Sequence, residues 1–162
     1  LNEDAPRIDS RRSFAQALQW GLQASIERGT RTLLLADADF SFWPLDDAAL
    51  RQALGAWVRL PGRRLQLLAQ RYEEVPRRSP RFTAWRRDWA HAVDAWQSPE
   101  EMGDVVPTLL LDDGPVSVHL MDAVHWRGRA AIDVAQAQMW REKLDALLQR
   151  CERSFSAYTL GL

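Results

Sequence analysis

The residues best suited to chemistry lie in one stretch, "HLMDAVHWRGRAAID", which runs from His119 to Asp133. It holds two of the chain's 3 histidines and sets His119, Asp122 and His125 at equal intervals. A His-Asp-His series invites a metal reading. Strand geometry works against it, because side chains alternate between faces and residues three apart point to opposite sides. We therefore expect no metal site. His125 and Arg127 offer different chemistry: an imidazole can attack phosphorus while a basic side chain steadies the oxyanion. His125 with Arg127 and Arg129 is thus a candidate set for a phosphodiesterase or nuclease. Elsewhere there is no G-x-G-x-x-G, Walker loop, H-E-x-x-H or G-x-S-x-G, so no cofactor is expected. The only cysteine, Cys151, falls on the apolar stripe of the closing helix and reads as core.

A second chemical stretch is "RRSPRFTAWRRDWAHAV", residues 77–93. On a helical wheel Phe82, Trp85, Trp89 and Val93 share one face, Arg86 lies at its rim, and Arg81, Arg87 and His91 point outward. Nucleic-acid binding needs exposed aromatics beside a basic groove. Here the aromatics fill the apolar stripe, which favours a core helix with a charged outer face. Arg77 and Arg78 can pair with Glu73 and Glu74. The alternative is a nucleic-acid-binding surface made of Arg77, Arg78, Arg81 and Arg87.

The totals bound these readings. A chain of 162 residues with 46% apolar content is large enough to bury a core. The net charge of −1 argues against nucleic acid or an acidic membrane as partner. With one cysteine no intrachain disulfide can form, which points to a reducing, cytoplasmic setting. No apolar run reaches the roughly 20 residues of a membrane span, and "LNEDAPRID" lacks the basic and apolar regions of a signal peptide. The chain opens on Leu1 rather than methionine, as a piece of a longer protein would.

The elements that must position these groups follow from periodicity. Phe14, Leu18, Leu22 and Ile26 mark a first helix, capped by Asp9 or Ser10 and stopped by Gly29. "RTLLLAD" is a buried strand, and "ADADFSFWPLDD" a polar and aromatic loop. Asp46 can cap a second helix carrying Leu50, Leu54, Trp57 and Val58; "PGRR" breaks it and "RLQLLAQ" is a second buried strand. Residues 78–93 read as a third helix and 107–132 as short strands around "DDGP". The closing helix carries Trp140, Leu144, Leu147, Leu148, Cys151 and Phe155. Helix-strand alternation predicts an α/β fold with a mostly parallel sheet and helices on both faces, residues 1–9 being an extension and 10–162 a single domain. Ligands of such sheets bind beyond the carboxyl ends of the strands. That rule selects Asp39, Trp43, Arg71, Tyr72, His125, Arg127 and Arg129 as a candidate site for an anionic ligand.

The arrangement resembles one unit of the phospholipase D superfamily. "HWRGRAAID" approaches the family's His-x-Lys with a later Asp, although Arg127 replaces the lysine and Asp133 comes one position late. In "VPTLLLDDG", Val106, Thr108 and Asp113 take the family's His, Lys and Asp spacing, and only the aspartate survives. The chain also resembles bacterial proteins with a degenerate form of this domain, through "FxxWRRxWAH" (Phe82 to His91) and "TLGL" (Thr159 to Leu162). The resemblance implies a catalytically inactive module that binds a ligand or a partner protein, and a homodimer, because family members work as paired units. The apolar "SAYTLGL" end would suit docking on a neighbour or on its own domain.

Overall fold

The computed structural model of the protein describes residues 5–99 and 105–154. In chain order its elements are β1 (Arg7–Ile8), α1 (Arg11–Glu27), β2 (Thr32–Asp37), α2 (Ala48–Val58), β3 (Arg64–Ala69), α3 (Glu74–Arg78), α4 (Pro80–Asp88), β4 (Val93–Gln97), β5 (Thr108–Asp112), β6 (Val116–Asp122), β7 (Arg127–Ile132), α5 (Val134–Leu148) and β8 (Glu152–Arg153). Phe155, the "SAYTLGL" end and its "TLGL" lie outside the described residues.

The strands form one sheet in the order β1-β7-β6-β5-β2-β3-β4-β8. Among the described residues only β2–β3 and β3–β4 pair in parallel. The other pairings, β1–β7, β2–β5, β4–β8, β5–β6 and β6–β7, are antiparallel. The expected mostly parallel sheet is therefore corrected to a mixed, mainly antiparallel one. The reason is local: β5, β6 and β7 are joined by short turns, and a short turn can only return the chain antiparallel. The expected helix over 78–93 is corrected as well, since α4 ends at Asp88 and Val93 already opens β4. That segment takes in the last residue of α3, all of α4 and the first residue of β4, with Ser79 between the two helices and Pro80 opening the second.

Side-chain caps set the helix starts. The Ser10 hydroxyl accepts from the Ser13 N–H at 3.0 Å and the Ser13 hydroxyl accepts from the Ser10 N–H at 2.9 Å, a reciprocal capping box on α1. Asp47, not Asp46, caps α2. The Asp46 carboxylate instead accepts from the Phe82 and Arg81 N–H groups at 2.8 and 3.3 Å, and so holds the first turn of α4. One core joins Phe14, Leu18 and Leu22 of α1, Leu54 and Trp57 of α2 and Phe82 of α4 to Leu65 and Leu67 of β3 and Val118 of β6. Helix α1 lies so close to the sheet that a Cβ on Gly21 would come within 2.7 Å of Val118. A second core sets Trp140, Leu144 and Leu147 of α5 against Leu34, Leu68 and Leu109.

Candidate functional site

Two helices deliver the chain to the amino-terminal ends of the parallel strands. Helix α2 ends at Val58, and the turn before β3 is completed by Gly62, whose φ of 72° lies in the region that favours glycine. Helix α4 ends at Asp88, and Trp89 to Ala92 lead into β4. The two connections are tied where Ala92 accepts from the Leu65 N–H at 2.9 Å. Between them lies a cavity of about 400 Å³, walled by Arg59, Arg63, Arg64, Trp89 and His91. Arg64 forks onto Asp94 at 2.8 and 3.1 Å, and Asp94 also accepts from Arg153 at 3.1 Å. Arg63 donates to the Pro61 carbonyl at 3.0 Å. Neither Arg59 nor Arg63 has a carboxylate partner among the described residues. Trp89 is half-buried, and the exposed His91 ring lies 5.5 Å from it at a 40° tilt. Cationic walls around an aromatic floor can hold a phosphate group and an adjoining ring.

The residues expected at the carboxyl ends of the strands are placed differently. Asp39 and Arg71 approach each other at 3.8 Å. Trp43 and Tyr72 are buried around Phe40, with ring centroids 5.1 and 6.4 Å from it. The Tyr72 hydroxyl donates to the Trp96 carbonyl at 2.6 Å, and burial pushes its phenol far above the usual range. Beneath them Asp37 is buried, which raises its carboxyl; it accepts from Thr108 and from the Phe40 and Asp39 N–H groups. These contacts close that end of the sheet. His125 sits on the exposed β6–β7 turn, its Nδ1 2.7 Å from Asp122. Arg127 and Arg129 are exposed on β7, four strands and about 19 Å from β3, the strand that leads to Arg71. Among the described residues no contact joins His125, Arg127 or Arg129 to Asp39 or Arg71.

The other sequence motifs also come apart. His119 faces α5 with its ring 4.3 Å from Trp140, and burial followed by the charge of Lys143 lowers its pKa. No group of three His, Cys, Asp or Glu among the described residues could hold a metal. Thr108 and Asp113 lie at opposite ends of β5, about 17 Å apart along the strand. Thr108 binds Asp37, while Asp113 accepts from the Thr30 hydroxyl at 2.8 Å and the Arg31 N–H at 2.9 Å. In the arginine-tryptophan stretch, Arg77 and Arg78 both pair with Glu74, at 3.5 and 2.7 Å, and Arg86 is buried rather than at the rim. Arg81 and Arg87 are exposed. Sequence reasoning missed Arg59 and Arg63. Their only signal is "RLPGRR", three arginines around a Pro-Gly turn, which reads equally as a helix stop.

No family model matches the chain, and no curated protein does. A solved structure that it resembles is that of TrmBL2, an archaeal chromatin protein reported to show a novel mode of DNA binding. The TM-score is 0.62 at 14% identity over 94% of this chain, a likeness of fold. The chain spans 56% of the TrmBL2 chain. The expected phospholipase D-like membership is corrected accordingly. Its motif is split between the two ends of β5, its expected sheet is not the one present, and the fold is instead similar to that of TrmBL2. The dimer inferred from that membership loses its basis as well. Among the described residues no helix is long and apolar enough to cross a membrane.

Proposed function

We propose that this protein is a nucleic-acid-binding module whose phosphate contacts are made by Arg59 and Arg63, with Arg64 held beside them by Asp94. The observation that carries the reading is the cavity between α2 and α4, where two of three guanidinium groups have no acid partner among the described residues. The likeness of fold to a DNA-binding chromatin protein supports it. The near-neutral net charge, which argued against nucleic acid, is a sum over the whole surface; affinity for a polyanion depends on where the charge gathers. A cytoplasmic setting, expected from the lone cysteine, is one in which such a polymer is met.

The surface from Arg77 to Arg87 is the weaker candidate, because two of its arginines share the Glu74 carboxylate, which offsets one of their two charges. The set at the carboxyl ends of the strands is weaker still, because Trp43 and Tyr72 belong to the core. Fluorescence anisotropy with a labelled duplex across a salt series tests the proposal. Two phosphate contacts give a slope of about −1.8 in log affinity against log salt. Replacing Arg59 and Arg63 by alanine together should remove about two contacts' worth of that slope. Replacing Arg77 and Arg78 should leave it in place. If the Arg59/Arg63 pair can be removed without loss, the groove is not the binding surface.

A further inference from the structure

The shape of the groove bears on which form of nucleic acid it takes. Resting on the reading above, we infer that the groove binds single strands in preference to duplex, by taking one unpaired base onto Trp89. A duplex presents its phosphates on a convex cylinder and keeps its bases stacked inside, so it has nothing flat to place in a concavity. An unpaired base can leave its neighbours, enter a cavity and lie on an aromatic face. Trp89 is placed for that contact: it is half-buried, packs against the core and also lines the cavity. The His91 ring, 5.5 Å away and tilted by 40°, adds a second aromatic wall. Arg59 and Arg63 stand on the same cavity and meet the phosphates that flank the base. The contact is indifferent to base identity, because every base has a π-face.

The unmodified protein supplies the first test. Its affinity is compared for an oligothymidylate of about fifteen nucleotides, an abasic strand of the same length, and a duplex of the same length. One base–aromatic stack makes the thymidylate bind about 5- to 150-fold tighter than the abasic strand. Equal affinity for those two strands, or a duplex that binds as tightly as the thymidylate, overturns the inference and leaves the phosphate-binding reading standing. Failure of all three to bind removes that reading itself. A second test locates the stack. Trp89→Leu should lose the preference for bases and keep its affinity for inorganic polyphosphate, whereas Trp89→Phe should retain most of the preference. A Trp89→Leu variant that stays folded by circular dichroism and keeps the full preference places the stack elsewhere and sinks the assignment to Trp89.

Discussion

Replacing Asp94 with asparagine should move stability and polyanion affinity in opposite directions. Asp94 is buried on β4 and collects the fork of Arg64 and the head of Arg153. Asparagine keeps the shape and one acceptor but removes the charge and points an amide N–H₂ toward a guanidinium. Breaking a fully buried pair costs about 3–5 kcal/mol, and a hydrogen bond to a charged group is worth about 1.5–3 kcal/mol. The side chain of Arg64 is 49% exposed and that of Arg153 68%, so water replaces part of what is lost. A cost of about 2–3 kcal/mol follows, which in a domain of this size lowers the melting temperature by about 4–12 °C. Arg64 also walls the groove, and it would now carry an uncompensated charge. A unit charge about 8 Å from a phosphate is worth about 0.5 kcal/mol in water, so low-salt affinity for polyphosphate should rise a little over twofold. Calorimetry and anisotropy on the same preparation read both quantities. A variant that is less stable and also binds more weakly would refute the reasoning, because Asp94 would then be holding Arg64 in its binding position rather than offsetting its charge.

Two further perturbations test the fold and its response to pH. A Cβ on Gly128 would stand 2.5 Å from the backbone oxygen of His119 and 3.1 Å from Ile8, so Gly128→Ala should cost about 1–3 kcal/mol by urea unfolding; an unchanged midpoint would mean that β7 and β6 can separate without cost. Burial raises the Asp112 carboxyl, whose Oδ2 has no hydrogen-bond partner among the described residues while Oδ1 accepts from the Gly114 and Val116 N–H groups, each at 2.9 Å. A folded-state pKa above the unfolded one contributes stability that is full below the unfolded value, about 4, and is lost as pH rises through the folded value. The native protein should therefore gain on Asp112→Asn as pH falls from about 7 toward 4, and a stability gap that stays constant with pH contradicts this.

What the sequence made legible was whatever a short window decides. The stripe of Phe14, Leu18 and Leu22, the continuous runs that became β2 and β3, and the face of Trp140, Leu144 and Leu147 each carry their own period, and each is buried as that period requires. Strand β4 carries no such signal over its length. "VDAWQ" buries Val93 and Ala95 in one core and sets Trp96 against the other, and it is a strand because β3 is already there to pair with it. The wheel that joined Val93 to Trp89 ran across that boundary. The parallel sheet failed for a similar reason. The alternation in the first half fits the parallel pairing of β2 with β3, but the turns after Asp112 and Asp122 make hairpins, and hairpins reverse direction.

The same reversal explains why the candidate site lies at the unexpected end. The rule that places ligands beyond the carboxyl ends of parallel strands depends on open loops there. Here the loop after β2 folds back: Asp37 holds the Phe40 N–H at 2.8 Å, and Phe40, Trp43 and Tyr72 bury their rings against one another and Phe14. Of the residues that the rule selected on that loop, Asp39 turns to the Ser41 N–H and Arg71, and Trp43 is buried with its indole N–H unpartnered among the described residues. At the amino ends the opposite holds, because the turn through Gly62 and the exit from α4 leave Arg59 and Arg63 around a cavity with no carboxylate partner among the described residues. A charge count cannot register this, since the paired Arg77 and Arg78 weigh the same in it as the unpaired Arg59 and Arg63. Pairing, which only the fold determines, separates the arginines that hold the chain together from those left over for a partner.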